Sequence, residues 1–129
     1  MKPQSARFLD KADKLLNEAE TMLHVGLNEA AGRSAYLAGF HAAQALIFER
    51  QGRALKTHSG VQSEFHRLVR NDFRFDENLR TFLSRAYNLK AIADYETGPG
   101  SEIPRERAEE AVRNCRGFVA WIGRLVLES

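Results

Sequence analysis

Apolar residues recur at intervals of three and four along most of the chain, and this spacing constrains the fold more than any other feature of the sequence. Because an α-helix turns once in about 3.6 residues, such spacing places the apolar side chains on one face. The pattern occurs in five separate segments, and none of them shows the strict alternation that a half-buried strand needs. The sequence therefore predicts an all-α bundle of four to five antiparallel helices, forming one domain over residues 1–129.

Breaking and capping residues predict where these helices begin and end. Asn28, Thr57 and Asp76 are residue types that cap helix N-termini, because their side-chain oxygens accept hydrogen bonds from unpaired backbone N–H groups. Gly26 and Gly52 stand where the first two stripes stop, and glycine is common just after a helix end. The predicted helices cover residues of about 5–25, 29–51, 58–70, 77–95 and 104–126, the last with Pro104 in its first turn.

The second predicted helix is unusually rich in small residues. Ala35, Ala38, Gly39, Ala42 and Ala45 give it one side that another helix can approach closely. This side and the apolar stripe of the fourth helix together offer more apolar surface than one small bundle needs. A two-fold homodimer is therefore expected.

Composition restricts the class of protein. The chain has 129 residues and a single cysteine, Cys115, which has no second cysteine to pair with and lies among apolar and basic neighbours, as a buried, unreactive thiol would. No apolar run approaches the roughly 20 residues of a membrane span, and the first residues are charged rather than apolar. The sequence predicts a cytoplasmic protein without membrane contact.

Positive charge is concentrated in residues 50–74, although the formal net charge of the chain is only +2. The basic residues of this stretch are Arg50, Arg53, Lys56, Arg67, Arg70 and Arg74. Only Glu64 and Asp72 oppose them, and two histidines, His58 and His66, lie beside them. Such a segment either contacts phosphate groups or is a solvated face.

No complete motif for metal, phosphate-loop or nucleophile chemistry is present. A di-metal carboxylate bundle needs Glu-x-x-His pairs on two helices, whereas this chain offers only Glu20 and His24 one turn apart. Two ligands do not make a metal site. No metal and no cofactor are therefore expected.

Three stretches of the chain, in this order and spacing, form a more specific pattern. They are RSAYLAGFHAAQAL at 33–46, KTHSGV at 56–61 and ADY at 93–95. Together they resemble the HEPN domain family over about residues 28–121. The resemblance implies a helical bundle that usually dimerises and is often encoded beside a small nucleotidyltransferase, as in toxin–antitoxin pairs. It also implies, for many members, metal-independent endoribonuclease activity from an arginine and a histidine near the end of the fourth helix.

Lys90, Asp94 and Tyr95 occupy those catalytic positions in this sequence. Lysine neutralises a phosphate but lacks the planar two-point contact of arginine, and an ionised aspartate is a poor general acid. Ribonuclease activity is therefore expected to be weak or absent. Lys90 and Asp94 are also in the less favourable order for a helical ion pair, with the carboxylate in the last turn, which suggests either a solvated pair or a further partner.

The remaining candidates are residues that could contact RNA or a nucleotide. They are Arg33, Arg53, Lys56, His58, Arg67, Arg70 and Tyr87. Arg33 and Tyr36 could reach a neighbouring helix end or a phosphate. Arg53 and His58 have the family's arginine–histidine spacing, but the resemblance places their turn away from the catalytic motif, so a structural role is favoured for His58. Tyr95 either stacks on a base or closes the core, with the core favoured, and His41 is expected to be a satisfied histidine at a helix contact.

Three functions remain open at this point. The leading one is an RNA- or nucleotide-binding HEPN subunit that acts with a nucleotidyltransferase partner in a toxin–antitoxin or defence-like system. The second is a non-catalytic helical adaptor that binds a protein or nucleotide. An active metal-independent endoribonuclease toxin is the third.

Overall fold

The computed structural model describes residues 1–129 and consists of five α-helices. They are α1 (Pro3–His24), α2 (Asn28–Gln51), α3 (His58–Val69), α4 (Glu77–Tyr95) and α5 (Arg105–Glu128). The structure confirms the predicted all-α bundle, and each boundary lies within two residues of the predicted one. None of the helices combines the length and the apolarity that crossing a bilayer requires.

The central helix is α2, which packs against each of the other four. Six of its seven alanines are fully buried, namely Ala31, Ala35, Ala38, Ala42, Ala43 and Ala45. At Gly39 the approach is closest, since a Cβ atom there would lie 2.4 Å from Cε2 of Phe82 on α4. The small-residue side of α2 is therefore covered within the chain, and it is not free to face a second copy as the sequence had suggested. The reason is that α2 must accommodate four neighbours instead of one.

Aromatic side chains fill the space between α3, α4 and α5. The ring of Phe118 stacks on Phe82 at 4.8 Å between centroids and meets the edge of Phe65 at 5.4 Å. Phe65 in turn meets Phe75, which precedes α4. All four side chains are at most 5 % exposed. This contact network fixes α4 relative to α3 and α5.

Two of the three predicted N-caps are confirmed. Thr57 Oγ1 accepts a hydrogen bond from the Gly60 N–H, and Asp76 Oδ1 accepts one from the Leu79 N–H. Asn28 is not a cap, because α2 begins one residue earlier than predicted: the Leu27 carbonyl already accepts from the Ala31 N–H. Gly52 ends α2 in the left-handed conformation at φ 72°.

The proline before α5 also lies outside its predicted position. Pro104 has an extended ψ of 148° and occupies the N-cap, one residue before the first helical turn. Next to it, Ile103 packs with Leu89 of α4 in a small second core, which also contains two alanines of α5. This packing holds the C-terminal end of α4 against the start of α5.

Candidate functional site

Three charged side chains meet where the end of α4 lies beside the start of α2. Asp94 accepts a hydrogen bond from Lys90 Nζ at 2.8 Å with one oxygen, and from Arg33 Nε at 2.9 Å with the other. The Lys90 side chain is only 10 % exposed and that of Asp94 21 %, whereas Arg33 is 48 % exposed. Arg33 is therefore the further partner that the order of Lys90 and Asp94 suggested, and it reaches a neighbouring helix end.

The electrostatics keep this cluster ionised at neutral pH. The hydrogen bond from Lys90, with the charges of Lys90 and Arg33, lowers the pKa of Asp94 below its usual value. The same hydrogen bond raises the pKa of Lys90. The rings of Tyr87 and Tyr95 lie 5.9 Å and 5.6 Å from Lys90 Nζ, within the range of cation–π attraction. Two cations thus share one carboxylate beside two aromatic rings.

A second polar group is built around His58, at the first position of α3. Its Nδ1 lies 2.8 Å from the hydroxyl of Tyr36 on α2, a residue that is completely buried. Gln62, one turn further along α3, donates to the same hydroxyl at 3.4 Å. The ring of Phe40 packs 4.7 Å from the imidazole. This group is held by the crossing of α2 and α3.

Tyr87 joins the two groups. Its ring lies 5.3 Å from that of Tyr36 and 6.1 Å from the His58 imidazole. Burial is the largest cause of the lowered pKa of His58, and the positive charges of Lys90 and Arg33 lower this pKa further. The expectation that the turn bearing His58 lies away from the catalytic positions is therefore wrong, since α3 starts beside the last turns of α4.

The other basic candidates form a separate group at the far end of α3. Arg67 pairs with Glu64, which also accepts from Gln51 and whose pKa is lowered to about 2, chiefly by the Arg67 hydrogen bond. Arg53 adds its charge near the same carboxylate. Arg67 lies nine positions after His58 on α3, a rise of about 14 Å along the helix axis. The predicted basic stretch is thus divided: exposed Lys56 lies two residues before His58, whereas Arg53 and Arg67 lie near Glu64.

Arg70 and Arg74 follow at the same far end. Arg70 is exposed and takes part in no ion pair, whereas Arg74 donates to Asp72 at 2.7 Å. Two of the six basic residues between positions 50 and 74 are therefore paired with the two acidic residues of that stretch.

The structure also shows the surroundings of four other residues that the sequence analysis singled out. Tyr95 is 71 % exposed, so the favoured core position is wrong, because the ring lies beyond the last packed turn of α4. His41 is not fully satisfied, since its Nδ1 is buried without a hydrogen-bond partner. Cys115 is buried as expected, and burial raises its pKa to about 12. Glu20, which was set aside as a metal ligand, pairs with Arg116 of α5.

Sequence reasoning missed the contacts that cross between helices. It left the target of Arg33 open and assigned no role to Gln62. The spacing of Arg33 and Tyr36 along α2 was a usable signal, because residues three apart lie on one helical face. Nothing in the sequence indicated that α3 would bring Gln62 to Tyr36.

A concavity of about 190 Å³ lies between α4 and α5. Asn78, Arg85, Asn88, Arg107 and Asn114 line it, and none of the candidate residues does. This concavity is therefore separate from the cluster around Lys90. No three histidine, cysteine or acidic side chains of the chain converge in an arrangement that could hold a metal ion.

Comparison with known proteins places this geometry in context. The family profile described as HEPN domain matches residues 5–125. A UPF0332 protein of Archaeoglobus fulgidus is 32 % identical over 109 residues, which are 84 % of each chain. A protein of Methanocaldococcus jannaschii that is provisionally named a toxin is 29 % identical over 121 residues, covering 94 % of this chain and 87 % of that one.

Two solved structures share the fold. The protein TT1696 from Thermus thermophilus superposes with a TM-score of 0.79 at 20 % identity, covering 95 % of this chain and 98 % of that one. ST0689, described as an archaeal HEPN homologue, gives a TM-score of 0.69 at 19 % identity, with 98 % and 99 % covered. At these sequence identities the similarity shows a shared fold and nothing more.

Proposed function

This chain belongs to the HEPN family, and from that premise we propose that it is an RNA- or nucleotide-binding subunit of a toxin–antitoxin or defence-like system, acting with a nucleotidyltransferase partner. A toxin-like role is supported by the M. jannaschii relative that bears a toxin's name. The nucleotidyltransferase partner is part of the proposal and rests on the family resemblance alone.

One observation carries the RNA-binding part of the proposal: Arg33 and Lys90 converge on a single carboxylate beside exposed aromatic surface. Two cations within hydrogen-bonding distance of one anion form a site that also suits a phosphate group. Tyr95, 71 % exposed and next to Asp94, offers a ring on which a base can stack. Asp94 holds the place of the phosphate in the free protein.

The same geometry limits RNA cleavage. Asp94 is held in its ionised form by Lys90 and Arg33, so it has no proton to give to a leaving oxygen. General acid–base assistance is typically worth about a hundred- to ten-thousand-fold in rate. We therefore expect binding with little cutting.

A binding and cleavage assay on the same RNA tests this proposal. The purified chain should bind a single-stranded RNA of about 12 nucleotides, and the affinity should fall steeply as salt is raised, because bound phosphates release counterions. With a chelator present, the RNA should remain largely intact. RNA binding that is absent at low salt would leave the adaptor function instead, with a protein as the partner.

A second candidate function is an active metal-independent endoribonuclease, and the position of His58 favours it. The imidazole lies in the same cluster as Lys90, and its pKa is lowered from its usual value near neutrality. The pKa of His41 is lowered as well. Rapid cleavage in chelator that is lost in His58→Ala would support this candidate. It would also show that His58 of α3 takes the role of the motif histidine expected on α4.

We also propose a homodimer, as the family resemblance implies. Since the small side of α2 is buried within the chain, the contact must use other surfaces, and exposed apolar residues such as Tyr95 and Leu127 are available. Light scattering at tens of micromolar should give twice the mass of 14.6 kDa. A monomer at that concentration would argue against a shared cleft, because ordinary interfaces are occupied there.

A further inference from the structure

The hydroxyl of Tyr36 is held between Gln62 and His58, and this arrangement fixes the direction of its proton. The amide nitrogen of Gln62, which can only donate, donates to the hydroxyl oxygen at 3.4 Å. With that oxygen accepting from Gln62, the Tyr36 O–H is free to point at His58 Nδ1, 2.8 Å away. Tyr36 is completely buried, so no solvent competes for its proton. An Nδ1 that accepts a hydrogen bond carries no proton itself.

We propose that Tyr36 and Gln62 hold His58 as the neutral tautomer protonated on Nε2, and that this N–H donates to a phosphate or ribose oxygen of RNA bound at Lys90 and Arg33. Tyr36 and Gln62 are then positioning residues, and His58 is a binding residue that contacts the ligand. The inference rests on the proposed RNA-binding function for its second half only. The tautomer itself belongs to the free protein.

The surroundings of His58 agree with a neutral ring. Lys90 and Arg33 both face it with positive charge, and Asp94 is the carboxylate that opposes them. His41 and Tyr87 are the other titratable groups packed nearby. A neutral imidazole avoids a third cation in the cluster. Within the chain, no hydrogen bond uses Nε2, so that nitrogen is available to a ligand.

This tautomer assigns His58 a different role from that of a general base. A base needs an unprotonated nitrogen facing the ligand, but here the unprotonated nitrogen faces Tyr36. An N–H donor instead strengthens phosphate binding without changing the charge of the site. The contact of a neutral donor is worth about three- to ten-fold in affinity.

Long-range proton–nitrogen correlation spectra of the full chain test the first half directly. His58 should show an unprotonated Nδ1 and a protonated Nε2. In Tyr36→Phe the donor to the neutral ring is lost, so the pKa of His58 should rise and the two tautomers should mix. Gln62→Ala, which removes no core side chain, should give a smaller change in the same direction. A proton on Nδ1 in the wild type, or an unchanged ring in Tyr36→Phe, would overturn the tautomer.

Variants of His58 whose amide takes the place of one ring nitrogen test, in the RNA-binding assay, whether Nε2–H donates to RNA. The amide of His58→Gln can replace the Nε2–H, whereas that of His58→Asn can replace only Nδ1. We expect the glutamine variant to bind RNA within about two-fold of the wild type, and the asparagine and alanine variants about three- to ten-fold more weakly. His24→Gln, on α1, is the matched control and should bind as the wild type does.

The outcomes separate this inference from the proposed function. Equal losses in the glutamine and alanine variants would exclude donation through Nε2. If the asparagine variant keeps its affinity while the glutamine and alanine variants lose it, the contact is at Nδ1 instead. A wild-type chain that binds no RNA would contradict the proposed function and this half of the inference. The spectra of the free protein would still decide the tautomer.

Discussion

Replacing Asp94 by asparagine is expected to raise the affinity of the chain for single-stranded RNA by about ten-fold, equivalent to ~1.4 kcal/mol. The carboxylate now satisfies both Lys90 and Arg33, so an incoming phosphate must compete with it. Lys90→Ala should act in the opposite direction by a similar factor and reduce the salt slope by about one, because one phosphate contact is lost. Fluorescence anisotropy at two salt concentrations measures both changes.

A second ion pair of the chain provides the matched control. Arg105 and Glu109 are also four residues apart on a helix and 2.8 Å apart, but both side chains are about half exposed, and neither forms an ion pair with Lys90, Asp94 or Arg33. Glu109→Gln removes the same charge and should leave RNA affinity nearly unchanged. If it raises the affinity as much as Asp94→Asn does, then net charge alone is responsible and the cluster is not the site. The double variant Arg67→Glu, Arg70→Glu shows separately whether the far end of α3 contacts the strand.

Gly39→Ala is expected to destabilise the fold by about 1–3 kcal/mol, although alanine normally favours a helix. The added methyl group would lie 2.4 Å from Phe82 Cε2 and 3.3 Å from a methyl carbon of Leu83. Phe82 cannot move aside, because its other face stacks on Phe118. A loss of this size is a large part of the ~5–15 kcal/mol that stabilises a typical domain. Urea unfolding followed by circular dichroism measures it.

Gly123→Ala is the control for this substitution. Gly123 is also inside a helix, α5, and a Cβ atom there would have no neighbour within 4 Å. Removing the flexibility of glycine should then stabilise the chain by about 0.5–1 kcal/mol. The two Gly→Ala substitutions are therefore expected to change the free energy of unfolding in opposite directions. Stabilisation at both positions would mean that α2 and α4 are not in close contact at Gly39.

The sequence was sufficient to predict the secondary structure. The stripes of apolar residues indicated all five helices, and Thr57, Asp76 and Gly52 marked helix ends that the structure confirms. These features depend on residues within one or two turns of each other, so the local sequence contains the necessary information. The prediction that Asn28 caps α2 was wrong, because Asn28 is already the first helical residue and the N-cap position falls on Leu27.

The candidate site could be predicted only in part. The HEPN resemblance indicated Lys90, Asp94 and Tyr95, and Arg33 was a separate candidate that could reach a neighbouring helix end or a phosphate. The pairing of Arg33 with Asp94 joins residues 61 positions apart, and that of Tyr36 with His58 joins residues 22 apart. Such pairs are set by the angles at which helices pack, which the periodicity of each helix does not contain.

The sequence by itself determined which segments become helices and which face of each is apolar, because both follow from the spacing of side chains about 3.6 residues per turn. Only the tertiary structure decided which faces meet. It placed the small side of α2 against α4 and α5 instead of a second copy, and it brought His58 to Lys90 while leaving Arg67 at the far end of α3. The physical reason is that helix packing depends on how all five surfaces interlock at once, and no single segment specifies that.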